Sequence, residues 1–87
     1  MKDMQKRIDD MLDELKKERD ELKLKLHLAK MDVSEEWDKL ESQLEKLEGK
    51  AQELGEVTMD ASKDVGEAAK LLGEEILRGF KRIAKHL

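Results

Sequence analysis

Two histidines are the side chains of this sequence best suited to metal binding or proton transfer, and neither has a suitable partner nearby. Lys23, Lys30 and Met31 stand three or four residues from His27, and none of them would complete a metal site with it. The sequence contains neither an HExxH nor a Glu-x-x-His motif. We therefore expect His27 and His86 to be ordinary surface residues, and we expect no metal site.

The other residue types that support catalysis lack the context that catalysis requires. Ser34, Ser42 and Ser62 are not part of a nucleophile-elbow motif, and there is no cysteine to supply a thiolate. The segment GEVTMDASKDVG has neither the spacing nor the ending of a phosphate-binding loop. Carboxylates are abundant, but they lie on helical sequence that forms no pocket. We therefore expect no enzymatic activity, no catalytic residue and no cofactor.

The elements that carry these residues are helices, because apolar residues recur at three- and four-residue steps from Met4 to Leu87. Such steps keep side chains on one helical face, and the one missed step falls at Glu18. Charged residues make up 46% of the chain and aromatic residues 2%, which is typical of coiled coils and long helices rather than of a compact aromatic core. The length of 87 residues allows one domain, residues 1–87.

The predicted fold is all-α, with a helix over about residues 3–54, a turn over about 55–60 and a helix over about 60–85. Gly55 and the N-cap candidates Thr58, Asp60 and Ser62 favour this turn, and Gly55 would take a left-handed conformation as a helix C-cap. The two long amphipathic helices would pack as an antiparallel hairpin within an oligomeric coiled coil or helical bundle.

Two alternatives to this hairpin stay open. One is a single long helix, straight or kinked, and the other has its turn at 32–34, where Asp32 or Ser34 could cap a helix. The segment LKLKLHL (22–28) also places Leu24 and Leu28 nearly opposite the main apolar stripe. We interpret it as helix that is apolar on two sides and packed by more than one neighbour, rather than as a strand.

In the favoured hairpin the first part of the chain would overhang the second helix, leaving its apolar residues from Met4 to Leu22 uncovered. Burial of apolar surface is favourable, so we predict a homodimer or homotetramer. In the second helix, Gly66, Gly73 and Gly79 make a slim face that permits close helix approach. Trp37 is predicted to be an interhelical core residue. The residues predicted to form helix–helix interfaces are Met4, Ile8, Met11, Leu15, Leu22, Leu26, Val33, Trp37, Leu40, Leu44, Leu47, Leu54, Val65, Leu72, Ile76, Phe80 and Ile83.

Charge is distributed unevenly and bears on the choice of partner. Residues 32–75 carry five basic and fourteen acidic residues, whereas residues 76–87 carry four basic and no acidic ones. The acidic middle disfavours nucleic acid as a partner. The basic amphipathic segment 68–87 could bind an anionic membrane surface, with Arg78, Lys81, Arg82 and Lys85 as the candidate contacts. We favour the interpretation that this segment packs in a bundle, with its cations beside Asp32, Glu35 and Glu36.

The segments HLAKMDVSEEWDKLE and DVGEAAKLLGEEILRGFKRI resemble a family of small bacterial proteins described as uncharacterised or coiled-coil proteins. The resemblance covers residues 24–84 and implies a helical fold and a bacterial setting, with no known activity, cofactor or site. No signal peptide or transmembrane segment is evident, so the expected location is the cytoplasm. The predicted function is that of a non-enzymatic coiled-coil protein with a structural or protein-interaction role, its partner being a second copy or an unidentified protein. The alternative is a peripheral lipid-binding protein that uses residues 68–87.

Overall fold

The chain is described by a computed structural model over residues 2–30 and 32–87, and the described part is all-helical. Its three helices are α1 (Lys2–Ala29), α2 (Ser34–Leu54) and α3 (Met59–Ala84). They form an elongated bundle with extents of 46 × 19 × 17 Å, close to the length of α1 itself at about 1.5 Å per residue. No strand occurs among the described residues, so LKLKLHL is helical as predicted.

Short turns make each helix antiparallel to the next, so α1 and α3 run parallel to each other. The cross-helix contacts fix this arrangement: Lys16 of α1 pairs with Glu48 of α2, and Gln43 of α2 bonds to Glu75 of α3. All three pairs of helices are in contact, with α3 packed against both α1 and α2. In the predicted hairpin, the second helix covers only about half of the first helix. In the structure, α3 instead extends along the length of α1.

The prediction of one helix across residues 3–54 is wrong, because α1 ends at Ala29 and α2 begins at Ser34. Lys30 adopts a left-handed backbone conformation with φ of 55°, which stops the helix without glycine or proline. Asp32 Oδ1 then accepts hydrogen bonds from the Ser34 amide at 3.4 Å and the Ser34 hydroxyl at 3.0 Å. The N-cap position itself is Val33, without a side-chain cap bond, rather than the expected Asp32 or Ser34.

The predicted second turn is present at residues 55–58, but its chemistry differs from the expectation. Gly55 is right-handed, with φ of −76° and ψ of −11°, so it does not act as a left-handed C-cap. The turn ends at Thr58, whose hydroxyl accepts the Ala61 amide N–H at 3.4 Å and caps α3. Of the three N-cap candidates, Thr58 is the one used, and both turns that the sequence suggested are formed.

Glycines of α3 let large side chains of the other helices come close, as the slim face predicted. A Cβ atom at Gly66 or Gly73 would overlap the Sδ atom of Met4 or Met11, respectively, on α1. A Cβ atom at Gly79 would overlap Cδ2 of Leu40 on α2. Because Gly66 and Gly73 are two turns apart and Gly79 lies on another side of the helix, α3 has one glycine face for each neighbour.

This three-helix arrangement removes the reason for predicting an oligomer. The part of α1 expected to overhang is covered by the chain's own α2 and α3: Ile8 and Leu15 are 3% and 2% exposed, and Leu22 is 6% exposed. Met4 and Met11 are half-buried over the glycines of α3. The break at 30–33 is the physical cause, since it folds α2 back onto α1 and lets α3 lie in the remaining groove.

Candidate interaction surface

The residues that could do chemistry are dispersed along the chain, and most of them are exposed. His27 lies in the last turn of α1 and His86 follows α3, and both side chains are exposed. Within residues 2–30 and 32–87, no three His, Cys, Asp or Glu residues come together in a way that could hold a metal ion. The serine hydroxyls are spread over the chain as well: Ser34 and Ser42 are exposed, and Ser62 is buried in the first turns of α3.

Trp37 lies in the core, 9% exposed, and links α2 to α3. Its indole Nε1–H donates a hydrogen bond of 3.0 Å to Glu41 Oε1, one turn along the same helix. Its ring lies 5.7 Å from that of Phe80 at a tilt of 40°, a separation at which aromatic rings attract each other beyond simple burial. The indole is therefore a packed core side chain between α2 and α3.

Most of the predicted interface residues lie in one core shared by the three helices. Met4, Met11, Val33, Val65 and Leu72 are half-buried at its edge. The predicted residues that are fully buried are Ile8, Leu15, Leu22, Leu26, Trp37, Leu40, Leu44, Leu47, Leu54, Ile76, Phe80 and Ile83. The core also contains Leu12 and Ala69, at 8% and 0% exposed, which the stripe of three- and four-residue steps omitted.

Shallow grooves run between the helices. One of about 370 Å³ lies between α2 and α3, with Leu40, Gly79 and Ile83 among its lining residues. Glu36 and Arg82 also line it, together with Lys39, Glu75, Lys85 and His86. Part of the expected acidic–basic arrangement is thus present, since Arg82 and Lys85 share this groove with Glu36. Its opposite charges partly offset each other, and its glycine serves helix packing, so we assign no ligand to it.

A second groove, of about 150 Å³, lies between the parallel helices α1 and α3 where both come to an end. Lys25 of α1 and Lys81 of α3 line it together with Leu22, Phe80 and Ala84, and with Glu18 and Glu21. A third groove of about 180 Å³ lies further toward the start of α1, around Met11, Leu15 and Gly73. The second groove shows that residues 22–30 and 76–87 occupy the same end of the bundle.

Exposed leucines mark the same end. Leu24 and Leu28 are 61% and 73% exposed, and Leu87 is 47% exposed. Leu24 and Leu28 are one turn apart on α1, at about 180° from the side that faces the core. The sequence placed them correctly opposite the stripe, but the interpretation that a neighbour packs on them is wrong within this chain. Instead, α2 and α3 both pack on one broad side of α1, and this side includes the buried Leu12.

We name residues 22–30 and 76–87 together the leucine–cation end. Its first segment has three basic and no acidic residues, and its second has four basic and no acidic residues. The candidate anionic-surface contacts Arg78, Lys81, Arg82 and Lys85 are all exposed. By contrast, the surface of α2 is acidic, with seven acidic and three basic residues in Ser34–Leu54. The two parallel helix ends therefore bring exposed apolar and cationic groups together.

Comparisons of the chain with protein-family models, with curated proteins and with solved structures found no match. The resemblance to small bacterial coiled-coil proteins therefore stays a prediction. Among the described residues, no helix combines the length and the apolar character needed to cross a membrane.

Proposed function

We propose that this chain is a non-enzymatic helical interaction protein that binds its partner through the leucine–cation end while the bundle stays closed. The observation that carries the proposal is the pair Leu24 and Leu28, which the fold does not need for its core and leaves exposed beside cations. Single exposed apolar residues are ordinary. Two adjacent leucines bordered by a segment without acidic residues are a candidate contact surface.

Several features support a binding role over a catalytic one. Titratable side chains are spread along exposed helix surfaces, and the grooves between helices are shallow. Catalysis requires a nucleophile, acid or base held beside a site that shields the reacting atoms, and the described residues offer no such grouping. Coiled-coil assembly remains a second use of the same surface, with another copy as the partner.

A photocrosslinking experiment in cells of the source organism tests this proposal. A photoreactive residue is introduced at position 28 in one variant and at position 71 in a matched control. Leu71 is 63% exposed on α3, but it lies between Glu67 and Glu74 rather than among cations. We expect a defined adduct from position 28 and none from position 71. Equal labelling from both positions, or no adduct from position 28, would contradict the proposal.

The alternative function, lipid binding by residues 68–87, has a specific requirement that can be tested. The apolar face of this segment is in the core, with Ile76, Phe80 and Ile83 at 0%, 2% and 3% exposed. A membrane could reach it only if α3 separated from α1 and α2. The segment 76–87 contains four cations and no acidic residue, which favours this alternative, and the released helix would resemble other interfacial amphipathic helices.

A disulfide between α1 and α3 separates the closed-bundle proposal from this alternative. Met11 Cγ lies 3.4 Å from the position of a Cβ atom at residue 73, so Met11→Cys with Gly73→Cys is within disulfide reach. The chain has no other cysteine. If lipid binding requires release of α3, oxidation should abolish it and reduction should restore it. If the closed bundle binds, the oxidised and reduced forms should bind equally.

A further inference from the structure

We propose that the partner of the leucine–cation end is the surface of a bilayer that contains anionic lipids. This inference rests on the proposed function, because it names the partner of the same surface. Leu24 and Leu28 would enter the interfacial region, and the surrounding lysines and arginines would contact the lipid headgroups. The bundle would remain closed, so the core residues of α3 would stay buried.

The geometry places the apolar and the cationic groups at one end of the molecule. Lys25 and Lys81 line the same groove from α1 and α3. Leu28 lies less than one turn beyond Lys25, and Leu87 lies three residues beyond Ala84 of that groove. Because α1 and α3 are parallel, both segments project their side chains at the same end of the bundle.

The charge distribution predicts which side of the bundle would face an anionic membrane. The leucine–cation end has seven basic residues and no acidic residue in its two segments. Glu36 and Glu75 share the α2–α3 groove with Arg82 and Lys85 and partly offset their charge. Glu18 and Glu21 border it in the α1–α3 groove and limit its reach along α1. The acidic helix α2, with seven acidic and three basic residues, would be repelled by anionic headgroups. Because α2 begins at this same end with Glu35 and Glu36, the favoured orientation places the outer side of the last turns of α1 on the membrane and turns the α2 side of the bundle away.

Two properties favour a membrane over a protein partner. Leu24 and Leu28 project from the convex outer side of a helix rather than lining a concave groove that could hold a partner helix. Leucine beside lysine and arginine is the composition of interfacial membrane contacts. Each Lys or Arg close to an anionic surface strengthens binding by about fivefold at ordinary salt, so several such residues can anchor a small protein.

Vesicle co-sedimentation of the full chain tests this proposal. Vesicles of phosphatidylcholine mixed with phosphatidylglycerol are compared with vesicles of phosphatidylcholine alone, at low and at physiological salt. We expect binding to the anionic vesicles, weaker binding as salt is added, and no binding to the neutral ones. Replacing Lys81 and Lys85 with Gln should weaken binding to the anionic vesicles by more than tenfold.

The leucine contribution is tested with a matched pair of variants. Leu24→Ser combined with Leu28→Ser should weaken vesicle binding by about tenfold or more, because less apolar surface leaves water. Leu71→Ser removes an equally exposed leucine from an acidic stretch of α3 and should leave binding within about twofold of the original. All three positions are exposed, so both variants should keep the helical circular dichroism spectrum of the parent. Their melting temperatures should fall only slightly, because serine has a lower helix propensity than leucine.

Three outcomes would overturn the membrane proposal. These are equal binding to anionic and neutral vesicles, no binding to either, and equal loss of binding in the Leu71→Ser and the Leu24→Ser/Leu28→Ser variants. If vesicles fail to bind while a residue at position 28 crosslinks to a protein in cells, the membrane inference falls and the proposed interaction function stands. If crosslinking at position 28 also fails, both fall.

Discussion

Gly79 and Gly49 are both interior helical glycines, yet they should respond to alanine in opposite directions. A Cβ atom at Gly79 would overlap Cδ2 of Leu40, a buried side chain that would have to shift from its contact with α3, whereas nothing lies within 4 Å of a Cβ at Gly49. We expect Gly79→Ala to lower the free energy of unfolding by about 1–3 kcal/mol. Gly49→Ala should raise it by about 1 kcal/mol through helix propensity.

Urea denaturation followed by circular dichroism measures both glycine variants. The Gly49→Ala protein is the control, because it reports the propensity gain without a steric term. If Gly79→Ala were as stabilising as Gly49→Ala, α2 and α3 would not approach each other closely at Leu40, and the packing of α3 on α2 would need revision.

Lys30 is the residue whose backbone ends α1, and replacing it with glycine should stabilise the protein. A left-handed conformation costs an L-residue about 1–2 kcal/mol, a cost that glycine avoids. Part of this gain is offset because glycine also makes the unfolded chain more flexible. We therefore expect Lys30→Gly to raise the free energy of unfolding by about 1 kcal/mol, measured in urea.

The control for Lys30 is Lys17→Gly, a change at an exposed position inside α1. Glycine there should lower the free energy of unfolding by about 1 kcal/mol, because it weakens an interior helical turn. A similar loss in both variants would mean that residue 30 is helical. That result would restore the continuous helix over 3–54 that the sequence predicted.

At the scale of the element, α3 begins with the N-cap Thr58, one of the candidates that the sequence predicted. Thr58 accepts the Ala61 amide N–H at 3.4 Å, a long hydrogen bond, so its contribution should lie at the lower end of the usual range for N-caps. We expect Thr58→Ala to lower the free energy of unfolding by about 0.5–1 kcal/mol. Thr58→Ser keeps the hydroxyl and should change it little. Equal losses in the two variants would show that the methyl group, and not the cap, is responsible.

The apolar steps predict the buried residues of α2 more completely than those of α1 and α3. In α2 the apolar steps of three and four residues identified the buried side chains Trp37, Leu40, Leu44, Leu47, Ala51 and Leu54. In α1 and α3 the same rule missed Leu12 and Ala69. A stripe of alternating three- and four-residue steps describes one narrow contact face, whereas the buried faces of α1 and α3 are wider and include Leu12 and Ala69.

The break between α1 and α2 was weakly encoded for a physical reason. Helix ends are recognised through glycine, proline and capping side chains, and here the stop is a lysine in a left-handed conformation. Asp32 and Ser34 gave the local signal, and Asp32 Oδ1 accepts both the amide N–H and the hydroxyl of Ser34, the first residue of α2, although the N-cap position itself is Val33. The basic residues of the leucine–cation end were visible in the sequence. Their meeting with Leu24 and Leu28 follows from two chain reversals, which periodicity alone does not specify.

At the scale of the whole molecule, a three-helix bundle buries the apolar residues of α1 that a two-helix hairpin would leave exposed. A hairpin with a long first helix leaves apolar residues of α1 in water, and association was the expected remedy. In the bundle, Leu44, Leu47 and Ile76 are at most 1% exposed, and the core extends from Ile8 to Leu26 along α1. Burial of the apolar stripe, which was expected to drive association between chains, therefore stabilises the fold of a single chain.

We accordingly expect equilibrium sedimentation of the full chain at micromolar concentration to give the mass of one chain, 10.1 kDa. The described large apolar residues that stay exposed are Leu24, Leu28, Leu71 and Leu87. Two leucine side chains alone supply far less than the roughly 800 Å² per partner that a stable dimer buries. The Leu24→Ser/Leu28→Ser variant is the control and should sediment identically. A mass of two or four chains that this variant reduces to one would restore the predicted oligomer. It would also place the oligomer contact on the outer side of α1, because the core residues are not available to a second copy.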